Sequence, residues 1–367
     1  MPRVAWRTGT VTAVRRAWTG AVEVEVDVPG DGALRALAYP SLVGTPVAGD
    51  RVLLNVTALQ RGLGTGGYAL VIALPDRPPG DRPVEPGEPE GHLVKARYTP
   101  LQAMVLGADE QESPYHGVLR SADDIGGMPV VVADLHSSLP AVLAGLLADR
   151  PGTRAVYVMT DGGALPLWFS RTVAGLREQG WLAGSVTVGQ AFGGDLEAVT
   201  LHSGLLAARH VLRAETAIVI QGPGNLGTDT PWGFSGVAAG EAVNAAAALG
   251  GRPVAVLRVS EADARERHRG LSHHSSTAYG RVALAAADLV VPLLPGDFGS
   301  GLRSAVRALA GSSPAGHQVV EVQTDGLDAA LAACPVPLST MGRGPDQDRA
   351  AFVSAAAAGR HVATLLT

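Results

Sequence analysis

Three of the chain's ten histidines fall within seven positions, in the run His268-Arg269-Gly270-Leu271-Ser272-His273-His274. Imidazole is the side chain that can ligate a transition metal, act as a general base or relay a proton near neutral pH. On one continuous helix His268 and His273 would stand about 500° apart, far from a common face. A better local reading breaks the chain at Gly270, makes Ser272 an N-cap and starts a helix at His273. Histidines in a first helical turn feel the positive end of the helix dipole, which disfavours imidazolium and keeps a nitrogen lone pair available. Three uses stay open: a metal centre of His268, His273 and His274, a metal-free acid/base site, or structural hydrogen bonding. With Asp134, His136, Asp161 and Asp263 the chain can supply a nitrogen and oxygen set that suits zinc, manganese or iron(II), although no spacing of the H-E-x-x-H type occurs.

Other polar residues gather where short apolar runs end. They are Asp161-Gly162-Gly163, Gly189-Gln190, Asp195-Leu196-Glu197, Gly222-Pro223-Gly224-Asn225 and Ser260-Glu261-Ala262-Asp263. Each loop taken singly is more consistent with caps and turns than with chemistry. Together they outline a pocket with Asp161, Asp195, Glu197, Asp263 and His273 as acid/base candidates. Gly162, Gly163, Gln190, Gly222, Gly224, Asn225 and Arg267 are the expected substrate contacts. Gly222, Gly224 and Gly227 match G-x-G-x-x-G in form, but the following Thr228-Asp229-Thr230-Pro231 postpones the helix to about Phe234. That delay argues against a nicotinamide cofactor and leaves a smaller anion as the expected guest of the backbone amides.

Positioning these loops requires a particular scaffold. From about residue 128 the chain alternates Val/Ile/Leu runs (129–135, 154–161, 183–189, 216–222, 253–260, 288–295 and 318–325) with amphipathic stretches. Continuous apolar runs separated by helices indicate a mostly parallel, doubly wound α/β sheet, and the loops at its carboxyl edge are where ligands bind. An eighth strand could fall near 93–106, and a helix is expected over the stretch beginning at Leu196. Residues 1–74 read as strands and turns, with Ala21–Val28 alternating apolar and acidic residues, and suit a small antiparallel β-barrel. Prolines at 75, 78, 79, 83, 86 and 89 mark 75–91 as a linker, leaving 92–367 as the α/β domain.

Composition narrows the function classes. Lys95 is the only lysine among 29 basic residues, the arginines are dispersed, and the net charge is −5, all of which argue against non-specific nucleic-acid binding. The single cysteine, Cys334, excludes an internal disulfide and a cysteine-rich metal site, and its apolar surroundings suit packing rather than catalysis. No G-x-S-x-G elbow is present. No apolar run approaches the roughly 18 residues of a spanning helix, and no apolar h-region follows the start, so a cytoplasmic protein off the membrane is expected.

The stretches LGTGGY (63–68), YTPLQ (98–102), VYVMTDGGALP (156–166), GQAFGGDLEAV (189–199), QGPGNLGTDTPWGFSG (221–236), RHRGLSHHSST (267–277) and STMGRG (339–344) together resemble a bacterial family catalogued as domain of unknown function 3866. The resemblance implies that barrel and α/β parts belong to one unit and assigns no residue a role. The residues themselves point to acid/base or metal-assisted hydrolysis of a small polar or anionic substrate, with a divalent metal as the cofactor to test. The competing reading is a non-catalytic regulatory protein that binds a small anion or a nucleotide. A small molecule is the expected partner under both, and a homo-oligomer is left open.

Overall fold

A computed structural model of the chain describes residues 4–80 and 89–366; part of the expected proline linker, residues 81–88, lies outside the described residues. Contacts divide the chain into two units, Met1–Val105 with Trp168–Ala174, and Leu106–Leu167 with Gly175–Thr367.

The first unit contains a closed barrel of β1 (Trp6–Trp18), β2 (Ala21–Val28), β3 (Gly32–Ala38), β4 (Arg51–Asn55) and β5 (Ala69–Ala73), in the order β1-β2-β3-β5-β4. Every pairing is antiparallel except β3 with β5. The alternation seen in β2 sends Val22, Val24, Val26 and Val28 into the barrel core with Val52, Leu54 and Val71. Glu23, on the other face of β2, is covered because the Tyr68 hydroxyl donates to it at 2.8 Å. A short hairpin of β6 (Leu93–Lys95) and β7 (Ala103–Val105) follows.

The second unit is built on eight parallel strands: β8 (Pro129–Val132), β9 (Ala155–Thr160), β10 (Gly184–Val188), β11 (Leu196–Ala198), β12 (Thr216–Gln221), β13 (Arg252–Val256), β16 (Asp288–Pro292) and β17 (Gln318–Val322). All seven apolar runs supply strands. The eighth is β11, within the stretch expected to be helical, whereas 93–105 forms the separate β6–β7 hairpin. Residues Leu196–Ala198 add to the sheet edge before Thr200 and Ser203 close a capping box on the helix Leu201–His210.

The sheet order is β11-β10-β9-β12-β8-β13-β16-β17. The chain leaves β8 toward β9 on one side, and leaves β12 toward β13 on the other. Right-handed crossovers running in opposite directions must lie on opposite faces. Accordingly, the helix Leu139–Asp149 after β8 packs with the C-terminal helix Arg349–Leu365, while the helix Ala238–Ala248 after β12 packs with Leu201–His210. This is a doubly wound α/β fold, and the adjacent ends of β8 and β12 form its switch point, where such sheets open a crevice. No helix among the described residues is long and apolar enough to cross a membrane.

The helix that follows β8 is set by backbone contact. A Cβ at Gly145 would stand 1.9 Å from the Ala356 carbonyl oxygen, and one at Gly359 would stand 1.9 Å from that of Val142. The two glycines let the helices meet without intervening side chains. Gly359→Ala should therefore destabilise the protein by about 2 kcal/mol or more, although alanine is the better helix former by about 1 kcal/mol. Urea unfolding checks this, and a neutral or stabilising effect would show that the helices are free to move apart.

Candidate functional site

The histidine run is folded by its ends. After β13 the chain forms a two-residue ladder, β14 (Val259–Ser260) with β15 (Gly270–Leu271), which closes the excursion of residues 261–269 into a hairpin. A 3-10 turn over Glu266–His268 brings His268 back, and Gly270 takes a left-handed φ of 71°. Ser272 then caps the helix His273–Thr277, its Oγ accepting the His274 N–H at 3.2 Å. The break at Gly270 and the cap at Ser272 are as the residue types require.

The consequence is convergence. The three imidazole centroids lie 4.5–4.9 Å apart, and His268, His273 and His274 can each offer one ligand atom within 4.8 Å of the others. Nitrogens around a tetrahedral ion bonded at about 2.0–2.1 Å are roughly 3.4 Å apart, so small ring shifts suffice to hold one. His268 Nδ1 lies 2.7 Å from Ser272 Oγ. His274 Nδ1 lies 3.3 Å from Asp134 Oδ2 and 2.8 Å from Arg258 Nη1. A guanidinium only donates, so Nδ1 accepts from Arg258 in this geometry; with a metal on Nε2, Arg258 would have to turn away and the ring would donate Nδ1–H to the carboxylate, the arrangement ligating histidines commonly adopt. Phe234 stacks on His274 with centroids 3.7 Å apart and meets His273 edge-on.

The electrostatics disfavour the charged form of His268 and His273. Burial, reinforced by the charges of Arg258 and Arg265, pushes His268 down to about 3, and burial with the neighbouring His274 and Arg267 lowers His273. Burial alone would raise Asp134, but His274 and Arg258 outweigh it and hold the carboxyl below its usual range. Asp134 was visible as a possible donor. Arg258 and Phe234 carry no such signal, because nothing local in LRVS or GFSG shows that they face histidines on another loop. The nearest local signal is that Arg258 lies just beyond the end of β13, whereas Phe234 stands directly before the turn that opens the helix Ala238–Ala248.

The other expected site residues are placed differently. Asp195 does not reach the carboxyl edge: it accepts Ser185 N–H and Oγ–H at 2.7 and 2.9 Å and pairs with Arg177, at the start of β10. The reason is β11, which must begin beside the start of β10 for the two strands to run parallel. Glu197, in β11, is buried and accepts Thr187 Oγ–H and Gly193 N–H. Asp161 accepts the Gln190 N–H at 2.8 Å and braces the loop at Gly189. Asp263 is buried among the Arg265 guanidinium, Arg343 and Ser260, and three hydrogen bonds from Arg265, two from its guanidinium and one from its backbone, hold it far below the carboxylate range. These carboxylates brace loops, and only Asp263 lies near the imidazoles, where its charge opposes the lowering of His268.

The glycines also serve packing. Gly163 and Gly222 are pressed against the backbone of the facing loop, with the Ala164 N–H donating to the Pro223 carbonyl at 2.7 Å. Gly224 turns the chain at φ 96°, and Asn225 Oδ1 accepts from Ser235 Oγ. Arg267 pairs with Asp229 at 2.5 Å. Burial pushes the Cys334 thiol up, which suits packing rather than nucleophilic attack.

His136, outside the cluster, carries a pH consequence. Burial pushes it down to about 4 from 6.5, against a hydrogen bond to the Gln221 backbone that favours the charged form. Between these values the unfolded chain binds a proton that the folded chain refuses, so stability falls as pH drops from about 6.5 toward 4. His136→Asn should flatten that part of the stability profile relative to the native protein, as read by urea unfolding at successive pH values; parallel profiles would contradict it.

No curated protein matches the chain. The model of one family, described as Protein of unknown function (DUF3866), matches residues 35–359. That span takes in every loop that carries an imidazole of the cluster, and the chain belongs to this family.

Proposed function

We propose that the protein is an enzyme that hydrolyses a small polar or anionic substrate with a divalent metal held by His268, His273 and His274. The observation that carries this reading is the meeting of three imidazoles, two of them backed at Nδ1 by Ser272 and by Asp134. Three imidazole nitrogens would leave a tetrahedral ion one position for water, and such an ion brings bound water to a pKa near 7. His273 is the least buried of the three, so the open side faces it.

The groups on that side have plain roles. Arg267 lowers the pKa of His273 by its charge and suits the neutralisation of an anionic substrate or developing oxyanion. Asp229 is exposed, pairs with Arg267, and its charge also reaches His273. It is better suited to move a proton than Asp263, Asp195 or Glu197, whose oxygens are already engaged. A small-molecule partner and a cytoplasmic location belong to the same proposal. The alternative, a non-catalytic sensor of an anion or nucleotide, has weaker support because Gly163 and Gly222 pack against backbone instead of framing a phosphate.

Metal content and activity test the proposal together. The full chain, loaded with zinc and freed of excess, should retain about one ion, and His273→Ala should lose most of it along with any hydrolysis of small esters and phosphate esters. A native protein that binds no divalent ion would sink the reading. Asp134→Asn should weaken metal affinity about 10–100-fold by removing the carboxylate behind His274. Competition against a chelator indicator measures this, and unchanged affinity would remove Asp134 from the centre.

A further inference from the structure

Three polar atoms from separate segments meet behind His274. Arg258 Nη1 lies 2.8 Å from His274 Nδ1 and 3.4 Å from Asp134 Oδ2, and Nδ1 lies 3.3 Å from that same oxygen. The side chains of Arg258, His274 and Asp134 are 9%, 9% and 8% exposed, so these atoms must satisfy one another. Two arrangements of hydrogens fit the triangle. In one, Nη1–H donates to the Nδ1 lone pair and the ring carries its single proton on Nε2. In the other, Nδ1–H and Nη1–H both donate to the carboxylate, and Nη1 draws back because two donors do not rest at hydrogen-bond distance from each other. The 2.8 Å contact selects the first.

That choice decides what His274 can do. With Nδ1 engaged by the guanidinium and Nε2 protonated, neither ring nitrogen offers a lone pair to an ion. The backbone of Arg258 is tied to the segment that carries the ring: its N–H donates to Ser275 Oγ at 2.8 Å, and its carbonyl accepts the Ser272 N–H at 2.9 Å. The guanidinium can therefore leave Nδ1 only by turning about its own side-chain bonds. Its positive charge also stands against the back of the cluster, where it lowers His268 and His273. A cation entering among the imidazoles would meet that charge in a poorly solvated place.

We propose that Arg258 gates the imidazole cluster: it holds His274 as the Nε2–H tautomer in the metal-free protein and withdraws to Asp134 alone when His274 ligates a divalent ion through Nε2. This rests on the hydrolase reading and deepens it by naming the residue that opposes metal entry. On ligation the ring's proton is carried on Nδ1 instead of Nε2, and the Asp134 carboxylate then accepts from both the imidazole and the guanidinium. Both arrangements use the same three atoms, so the exchange needs a turn of one side chain and no movement of the backbone. The cluster fills only with an ion bound strongly enough to replace the Arg258–His274 hydrogen bond.

Zinc affinity of the full chain and of Arg258→Met, which removes the charge and the donors but keeps an unbranched side chain, tests this by competition against a chelator indicator. Arg258→Met should bind zinc on the order of 10-fold more tightly. Binding by the variant alone would also support the gate, while ending the hydrolase reading of the native chain. Binding by the native protein with equal or weaker binding by a variant of native-like urea unfolding would overturn the gate and leave the hydrolase reading standing. Binding by neither would overturn both. Loss of the guanidinium leaves a buried carboxylate with one partner fewer and can impair folding, so the native metal-free protein supplies a second measurement. Nitrogen NMR of the His274 ring, assigned by comparison with His274→Gln, should show the proton on Nε2 and an accepting Nδ1; a proton on Nδ1 before metal is added would overturn the proposal.

Discussion

Parallel strands can be joined only by a crossover, and the crossover is right-handed; the candidate site follows from that constraint. The connections from β8 and β12 run in opposite directions, so they must occupy opposite faces, and the ends of these adjacent strands are left without a covering element. Asp134 follows one strand and Gln221 ends the other. The loop from β12 brings Phe234, and the loop beyond β13 brings the histidines. Had both crossovers run the same way, a helix would cover the ground where these residues meet.

Close backbone approach holds this arrangement in place. Gly145 and Gly359 let the helix after β8 lie directly on the C-terminal helix, which positions the segment following Asp134. Gly163 and Gly222 do the same for the loops of β9 and β12. In each pair a methyl group would force backbone apart, and in a close-packed interior such displacement is felt by the neighbouring loop. The glycine-rich appearance of these loops therefore arises mainly from packing, and at Gly162 the missing side chain lets the Gln221 amide lie against the backbone.

Burial gives the imidazoles their chemical character. A solvent-exposed trio would titrate near 6.5, whereas burial and the guanidiniums of Arg258, Arg265 and Arg267 hold His268 and His273 in the neutral form. Neutral imidazoles offer lone pairs for a metal or a proton. Asp134 balances the positive charge of Arg258 and so permits a carboxylate and a guanidinium to share the back of His274. The carboxylates of Asp161, Asp195, Glu197 and Asp263 are committed to N–H, O–H and guanidinium partners that order the loops.

Much of the scaffold was legible in the sequence because its signals are local. Uninterrupted Val/Ile/Leu runs mark buried parallel strands, alternation marks the barrel strand Ala21–Val28, and Gly270 with Ser272 marks a turn followed by a capped helix. Leu196–Ala198 was misread as helix because a three-residue edge strand carries no periodicity of its own and owes its conformation to the hydrogen bonds of β10. The sequence by itself determined the α/β class, the carboxyl-edge loops and the break that prevents a one-face histidine helix. Only the tertiary structure decided which loops meet: strand order placed Asp195 at the far edge, brought Asp134, Arg258 and Phe234 to His274, and set the Gln221 amide against the Asp134 backbone carbonyl. Those are contacts between segments distant in the chain, set by crossover handedness and helix packing, and no spacing within a single loop encodes them.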